Sequence, residues 1–189
     1  MSLRSETGMT LMDMLVVVGF LGILMAIGIP LLNDVNDSLR LGQAQRDIER
    51  QLHTARQRAV ATNRPMRVHF NCPEAGNYRM VELIGTPGVP AAADDASDRC
   101  SESRYPTQPD EDPMTRPNHD GPIRRIDPRV SFGVVESIEF WPDGTAHYDN
   151  GSDPWAQIPS TGRDLTLTYK SNTAVITVNG LGRITVQRQ

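Results

Sequence analysis

The feature that most constrains this chain is an uninterrupted apolar run near its amino terminus. Residues 14–32 read MLVVVGFLGILMAIGIPLL, nineteen positions without a charged side chain. In a helix such a run spans about 28 Å, close to the hydrocarbon thickness of a bilayer. It lacks the polar stripe that a helix buried in a small domain would have. The run therefore predicts a transmembrane helix.

A cleaved secretory signal is the main alternative for this run. Such a signal has an apolar core of about 7–15 residues, followed by a cleavage site with small residues. Here the run is longer, and the sequence NDVNDSLRLG that follows it offers no such site. The membrane segment is therefore the better interpretation.

The remainder of the 189-residue chain is polar and slightly acidic. The formal net charge is −4, the isoelectric point is about 5.5, and Lys170 is the sole lysine among 19 basic residues. This charge is unfavourable for non-specific binding to nucleic acid. The length leaves room for one further domain of ordinary size.

The residues around the start of the run form a specific pattern. A short polar leader, MSLRSETG, ends at Gly8 and is followed by MTLMDMLVVVGFLGILMAIGIP. This segment resembles the amino terminus of type IV pilins and of the pseudopilins of type II secretion. The resemblance implies that a prepilin peptidase cleaves after Gly8 and methylates the new amino terminus at Met9. It also places Asp13 where the family usually has Glu, and Pro30 where it has a helix-kinking proline.

Asp13 is a carboxylate at the edge of an apolar helix, a position that is costly unless the group is paired or reaches water. In one interpretation Asp13 lies at the headgroup level in contact with water. In the other, which the resemblance implies, it pairs with the free amine of Met9 of a neighbouring subunit and sets the axial register. Two departures from the family pattern bear on this role, because the first mature residue is usually Phe and the acid is usually Glu.

The orientation signals of the sequence disagree. Arg4 precedes the apolar run, whereas Arg40, Arg46 and Arg50 lie within about 20 residues after it, so the positive-inside rule does not favour an external carboxyl terminus. The resemblance instead implies a single-pass protein of the bacterial inner membrane with a periplasmic C-terminal domain. We follow the resemblance.

The segment after the run is polar yet periodic. Small and aliphatic residues recur there at steps of three or four, which predicts an amphipathic helix from Asn33 to about Asn63. Pro65 disfavours a helical conformation at Arg64 and ends the pattern. The apolar stripe consists of Leu41, Ala44, Ile48, Leu52, Ala55 and Ala59. We therefore expect a leader at 1–8, a transmembrane half of the helix at 9–32, a periplasmic half at 33–64 and a globular head at 65–189.

The head is predicted to be β-rich. Alternating runs and turn signals such as Pro142-Asp143-Gly144 indicate an antiparallel meander or sandwich packed on the helix, an α+β fold. An acidic, proline-rich insertion at about 85–122 interrupts this pattern and is predicted to be a solvated or partly disordered loop. The predicted strands are 66–70, 78–84, 130–135, 137–141, 145–148, 164–169, 173–178 and 183–187.

Three further segments resemble the GspH/FimT family of minor pseudopilins and pilins. They read LHTARQRAVATNRPMRV, IEFWPDGTAHYDN and LTLTYKSNTAVITVNGLGRITVQ. The resemblance implies a minor pseudopilin, a structural subunit of a type II secretion pseudopilus. Its expected partners are other major and minor pseudopilins, the prepilin peptidase and the inner-membrane assembly platform. The alternative is a FimT-like minor type IV pilin that acts in pilus assembly or DNA uptake, with Arg183 and Arg188 as DNA contacts.

Cys72 and Cys100 are the two cysteines of the chain. In a periplasmic domain we expect a disulfide between them, with two unpaired thiols as the alternative. Their spacing does not suggest a redox motif.

The sequence suggests neither a cofactor nor a metal site, and we expect the protein not to be an enzyme. Its histidines have no metal-ligand spacing, and neither a phosphate-binding glycine loop nor a nucleophile elbow occurs. Two acidic groups contain the oxygens that calcium prefers, but solvated turns explain them better. The histidines are His53, His69, His119 and His147, and the acidic groups are Asp94, Asp95 and Asp98, and Asp149, Asn150 and Asp153.

Overall fold

The computed structural model describes residues 11–107, 114–133, 135–149 and 155–187, and for residues 27–34 it describes the backbone alone. The chain divides into two compact units, Met1–Leu39 and Arg40–Gln189. The second unit contains both sheets of the fold.

A single 52-residue helix, α1, runs from Leu11 to Thr62. It ends where the sequence predicts, because Asn63 takes a left-handed conformation (φ 54°) and Pro65 follows two residues later. The amide of Arg64 still reaches back to the carbonyl of Ala59 at 3.2 Å, which closes the last turn.

Within the described residues, ten short strands, all paired antiparallel, form two sheets. The six-stranded sheet has the order β3-β2-β1-β5-β6-β7, and the four-stranded sheet has the order β10-β9-β8-β4. The strands are β1 Met66–Phe70, β2 Asn77–Glu82, β3 Arg124–Arg125, β4 Ser131–Phe132, β5 Ile138–Phe140, β6 Ala146–Tyr148, β7 Ala156–Gln157, β8 Arg163–Tyr169, β9 Asn172–Val178 and β10 Ile184–Gln187.

One hydrophobic cluster joins α1 to both sheets. The predicted helical stripe is buried along its whole length, from Leu41 to Ala59. Alternate residues of the strands complete the cluster, as the two-residue period of a strand requires. Its strand members include Val68 and Phe140 of the larger sheet and Leu167 and Ile176 of the smaller one. The α+β prediction of a long helix on antiparallel sheets is confirmed.

All eight predicted strands are present, several of them shorter than predicted. The two strands that the sequence did not indicate, β3 and β7, have two residues each and lie at the two edges of the larger sheet. A two-residue strand leaves no alternation to detect, so its pairing depends on the neighbouring strand.

The insertion predicted at about 85–122 contains neither a helix nor a named strand in its described parts, 85–107 and 114–122, and many of its residues are exposed, but it is not solvated throughout. Asp94, Arg99 and Asp120 are fully buried there, and its backbone forms a series of turns. The acidic composition suggested solvation because charged groups are costly to bury without partners. In this fold the partners exist, because Asp120 pairs with Arg99 of the insertion itself and Asp94 accepts three backbone amides.

Candidate functional site

The N-terminal unit exposes a continuous apolar surface. Every large apolar side chain of α1 from Leu11 to Met25 is exposed, Val17 least at 44%. A contiguous apolar surface of this size marks a site of contact with lipid or with another protein. The N-terminal segment of α1 is thus the first candidate for an assembly surface.

The residues predicted to act in processing and assembly lie in or near this segment. Asp13 is exposed in the first turn of α1. Gly8 and Met9 lie outside the described residues, and Pro30 lies within α1 at a position where only the backbone is described. Within the part of the chain that the structure describes, no helical stretch is both long enough and apolar enough to cross a membrane.

In the second unit, the insertion covers the face of the larger sheet that lies away from the hydrophobic cluster. Arg67 of β1 is the centre of this contact. Its guanidinium donates to the backbone carbonyl of Asp94 at 2.9 Å and to the carboxylate of Asp95 at 2.7 Å. It also lies 3.6 Å from the ring centroid of Trp155, a cation–π contact. Arg67 thus ties the insertion to the sheet.

Two further buried arginines hold the insertion in place. Arg79 of β2 donates to the carbonyls of Gly121 and Cys100 at 2.7 and 3.2 Å. Arg99, within the insertion, forms a bidentate pair with Asp120, with nitrogen–oxygen distances of 2.5 and 2.9 Å. Bidentate guanidinium–carboxylate pairs combine strength with a fixed geometry. The insertion is therefore a structured part of the head.

The hydrogen bonds of the Asp94 carboxylate argue against its acting as a calcium ligand. Its two carboxylate oxygens accept the backbone amides of Ile84, Gly85 and Ala91 at 2.8–2.9 Å. The prediction that Asp94 is a solvated turn residue is also wrong, because its side chain is fully buried.

The second acidic group considered as a source of calcium ligands, Asp149, Asn150 and Asp153, is described only in part. Asn150 and Asp153 lie outside the described residues, whereas Asp149 lies within them. No calcium site is therefore derived for this group.

Glu139 of β5 is the buried carboxylate opposite Arg67. Burial raises the pKa of Glu139 to about 7, against the lowering effects of the Arg67 charge and of a hydrogen bond from the indole N–H of Trp141. The protonation state of this group therefore changes near neutral pH.

The structure joins Cys72 and Cys100 by a disulfide. Cys72 lies two residues after the end of β1 and Cys100 lies in the insertion, so the bond connects the insertion covalently to the chain next to the sheet. The imidazole of His69 lies beside it. Burial, together with the positive charges of Arg67, Arg99 and Arg79, lowers the pKa of His69 to about 3, so this ring is neutral at physiological pH.

The other three histidines occupy different environments. His53 is exposed on α1, whereas His119 and His147 are buried. His147 stacks on Trp141 with a centroid distance of 3.5 Å, and burial lowers its pKa. These contacts agree with the predicted packing and surface roles.

The two arginines predicted as DNA contacts are described to different extents. Arg183 is exposed beside the β9–β10 hairpin, and Arg188 lies outside the described residues. Near this hairpin, Arg56 of α1 donates to the carbonyls of Gly144 and Leu181, each at 3.1 Å. Val60 and Leu181 are exposed apolar residues.

The sequence alone does not indicate that the charged side chains of Arg67, Arg79, Arg99 and Asp120 are buried. One signal was present in β1, where MRVHF alternates apolar and basic residues. That alternation indicates two different faces but not whether the basic face is solvated. Which acids meet it depends on pairing between distant segments.

Comparison with known proteins identifies the family. The family model "Type II transport protein GspH" matches residues 44–182, about three quarters of the chain. The chain belongs to the GspH family. The matched range runs from the middle of α1 to the last hairpin and spans the insertion.

Three solved chains resemble this GspH-family protein. Two are crystal forms of the type IV minor pilin FimU of Pseudomonas aeruginosa, with 16% and 15% identity and TM-scores of 0.47 and 0.45. Each match covers 78% of this chain, and the two cover 88% and 93% of FimU respectively. The third is the minor pseudopilin EpsH of the Vibrio cholerae type 2 secretion system, with 9% identity, a TM-score of 0.45 and coverage of 78% of this chain and 96% of EpsH. No curated protein sequence matches the chain.

Family membership gives this GspH protein a coarse role. It is a pilin-like structural subunit of the minor pseudopilin or minor pilin type, which assembles with other pilin-like chains.

Proposed function

We propose that this chain is a minor pseudopilin of a type II secretion system, a structural subunit of the pseudopilus that supports protein export across the outer membrane. The observation that carries the proposal is the exposed apolar surface of α1 from Leu11 to Met25, with Asp13 in its first turn. Such a surface requires cover by lipid or by neighbouring helices. The head of the same chain belongs to the GspH family.

In this proposal residues 14–32 anchor the precursor in the inner membrane, with the head in the periplasm. The prepilin peptidase removes the leader after Gly8 and methylates Met9. The assembly platform then inserts the mature subunit into the pseudopilus, where its apolar helix exchanges lipid for the helices of other pseudopilins. The length and uncharged sequence of the segment support this sequence of steps.

Asp13 is proposed to set the register between neighbours. A carboxylate among apolar helices is stabilised when a positive charge lies next to it, and cleavage after Gly8 would create an amine only four residues before Asp13. In this proposal the amine that pairs with Asp13 is that of Met9 of an adjacent subunit, as the family resemblance implies, so the pair fixes the axial position of one helix relative to the next.

The test follows processing and assembly separately. The full chain is expressed with a prepilin peptidase and a set of pseudopilins, leader removal is measured by intact mass, and incorporation is measured by crosslinking. Asp13→Ala should be processed normally but should lose most of its crosslinks to neighbouring pseudopilins. Asp13→Glu should restore them, and Glu74→Ala, a change of an exposed acid on the head, should leave both unchanged. Normal crosslinking of Asp13→Ala would refute the register role.

A FimT-like minor type IV pilin is the second candidate, supported by the exposed position of Arg183. DNA binding requires local positive charge that the acidic chain as a whole does not supply. A gel-shift assay of the full chain in detergent, at physiological salt, should show no binding to duplex DNA. Binding that Arg183→Ala abolishes would favour the pilus interpretation, as would a deletion strain that loses twitching or DNA uptake while it keeps secretion.

A further inference from the structure

Three exposed arginines lie close together in β3 and in the segment that connects it to β4. Residues 124–129 read RRIDPR, and the side chains of Arg124, Arg125 and Arg129 are all exposed. Among the residues that the structure describes, no carboxylate forms an ion pair with any of the three. Guanidinium groups bind phosphate oxygens through paired N–H donors. Three such groups are therefore available here to an anionic partner.

This segment lies at the end of the head that α1 enters. Asp127 accepts a hydrogen bond from the guanidinium of Arg40 at 2.9 Å, and Arg40 is the first residue of the second unit. The other carboxylate oxygen of Asp127 accepts the backbone amide of Arg129 at 2.9 Å. The charge of Asp127 is therefore balanced by Arg40, and the guanidinium of Arg129 takes no part in this pair.

The turn between β8 and β9 lies at the same end of the head. Gln45 of α1 donates to the carbonyl of Val175 at 3.0 Å. Farther along the helix, Arg56 donates to the carbonyl of Leu181 at 3.1 Å, so β9 runs in the same direction as this part of α1. The β8–β9 turn precedes β9 and therefore lies toward the point where α1 enters the head. Lys170, the sole lysine of the chain, is exposed in this turn.

The pairing of β4 with β8 brings Arg129 to this turn. Ser131 of β4 lies opposite Thr168 of β8. Arg129 comes two residues before the first of these, and Lys170 comes two residues after the second. Because the two strands are antiparallel, both cations lie at the same end of the pair. We call the following four residues the cationic end of the head: Arg124, Arg125, Arg129 and Lys170.

The apolar run ends eight positions before Arg40. Eight residues cannot place Arg40 more than about 28 Å from residue 32, and in a helix they rise about 12 Å. The headgroup layer extends about 5–8 Å beyond the hydrocarbon core, and the Debye length at physiological salt is about 8 Å. With the run in the bilayer, headgroup charges therefore lie within range of the cationic end. The cations Arg40, Arg124, Arg125, Arg129 and Lys170 outnumber the acids of the same segments, Asp34, Asp37 and Asp127.

We propose that the cationic end of the head binds the anionic phospholipid headgroups of the membrane that holds the subunit before assembly. This inference rests on the membrane anchor of the proposed function. A cluster of at least four basic residues beside a membrane segment is typical of such contacts. Nucleic acid presents the same phosphates, but it must approach from solution a chain whose net charge is −4. The anchor instead keeps the headgroups next to the arginines.

The contact has a consequence for assembly. While the subunit is in the membrane, it holds the head against the bilayer surface. Entry into the pseudopilus then requires these arginines to leave the lipid phosphates. The composition of the membrane would thus affect how readily the subunit is taken up.

The test measures how close the cationic end comes to lipid headgroups. The full chain carrying Ser171→Cys is labelled with a fluorophore in the β8–β9 turn; the native cysteines do not react, because they form the disulfide. It is placed in nanodiscs with a constant fraction of headgroup spin-labelled lipid, with or without phosphatidylglycerol in a phosphatidylcholine background. Quenching should be at least about twofold greater in the anionic discs at low salt, and the difference should disappear at high salt.

Charge-removal variants locate the contact. Each basic residue near an anionic membrane changes binding by about fivefold, so Arg125→Gln/Arg129→Gln should lose most of the difference between the two kinds of disc. The matched control, Arg104→Gln/Arg183→Gln, removes two exposed arginines elsewhere on the head and should keep the difference. Near-ultraviolet circular dichroism from the two tryptophans checks that each variant keeps its fold.

Several outcomes would overturn the proposal. They are equal quenching in the two kinds of disc, a difference that salt does not change, and an equal loss in the control variant. Equal quenching together with a duplex-DNA gel shift that Arg125→Gln/Arg129→Gln abolishes would assign the cationic end to nucleic acid. If the chain does not remain with the discs, the membrane anchor fails and this inference fails with it. Stable incorporation with equal quenching would refute this inference alone.

Discussion

Arg67 and Glu139 are direct partners on the adjacent strands β1 and β5, and both side chains are 99% buried. Their nearest nitrogen–oxygen distance is 3.2 Å. This ion pair faces the insertion rather than the hydrophobic cluster, and Arg67 continues to Asp95 at 2.7 Å. A buried pair of this kind gains little net stability over an apolar pair, but removal of one partner is costly. We infer that the pair fixes the position of the insertion on the larger sheet.

The first prediction concerns pH. Burial raises the pKa of Glu139 to about 7 from 4.5, so between these values the folded chain binds more protons at this site than the unfolded chain does. The contribution of Glu139 to the free energy of unfolding is therefore lost as pH rises from 4.5 through 7, by about 3 kcal/mol. In Glu139→Gln the site does not titrate, so the stability of the wild type relative to this variant should fall across that interval.

The measurement is denaturant unfolding of the full chain in detergent from pH 4.5 to 8. The comparison with the variant is needed because His69, whose pKa is lowered to about 3, contributes a slope of opposite sign below pH 6.5. Glu74→Gln, a change of an exposed acid, serves as the control and should follow the wild type. A constant difference between wild type and Glu139→Gln at all pH values would contradict the prediction.

The second prediction concerns the buried Arg99–Asp120 pair. Asp120 also accepts the backbone amide of Glu82 at 2.8 Å, so it joins the insertion to β2 as well. Asp120→Asn keeps the shape but leaves the buried charge of Arg99 without its nearest counter-ion. We expect the free energy of unfolding to fall by about 3–5 kcal/mol.

The matched control is the exposed pair Arg104–Asp98, which has a similar distance of 2.9 Å. Asp98→Asn should change stability by less than about 1 kcal/mol, because solvent screens exposed pairs. Equal effects of the two substitutions in denaturant unfolding would show that burial does not govern the strength of these pairs.

Periodic features of the sequence were sufficient to predict much of the fold. The stripe from Leu41 to Ala59 repeats over five turns, and the longer strands alternate, so local spacing alone identifies their buried faces. The end of α1 could be predicted because Pro65 acts on its immediate neighbour. The turns between antiparallel strands also have local sequence signals, such as Pro142-Asp143-Gly144 between β5 and β6.

The buried charges of the head could not be predicted in this way. Arg67 and Glu139 are 72 positions apart, and they meet only because β1 pairs with β5 in one register. The composition of the insertion predicts that its acids are solvated, because composition does not show which charged groups of other segments contact them. The proposed assembly residues are the opposite case, because a local motif identified Gly8 and Asp13 without any reference to tertiary contacts.

The third prediction concerns Gly182, which has a φ of +71° beside the last hairpin. A Cβ there would lie 2.3 Å from the carbonyl oxygen of Gly144 and 2.6 Å from Nε of Arg56, the two atoms that already form a hydrogen bond. Gly182→Ala should therefore displace Arg56 and lower the free energy of unfolding by at least about 2 kcal/mol.

Gly42 provides the control for this substitution. It lies inside α1, where a Cβ would meet only a side-chain nitrogen of Arg46 at 3.9 Å. Gly42→Ala should stabilise the chain by up to about 1 kcal/mol, because alanine is the better helix former. If Gly182→Ala proves as stable as Gly42→Ala, the close approach of Gly182 to Gly144 does not constrain the hairpin.

The fourth prediction concerns the disulfide between Cys72 and Cys100. It closes a loop with a sequence separation of 28, so in the unfolded chain it removes conformational freedom equivalent to about 3.5 kcal/mol. Reduction of the wild type in the presence of a chelator should lower the free energy of unfolding by about this amount, and Cys72→Ser/Cys100→Ser should be less stable by a similar amount. The same reductant should leave the double variant unchanged, which separates loss of the bond from other effects of the reagent. If the wild type kept its stability on reduction, the contacts of Arg67, Arg79 and Arg99 would by themselves determine the position of the insertion, and the bond would add nothing to them.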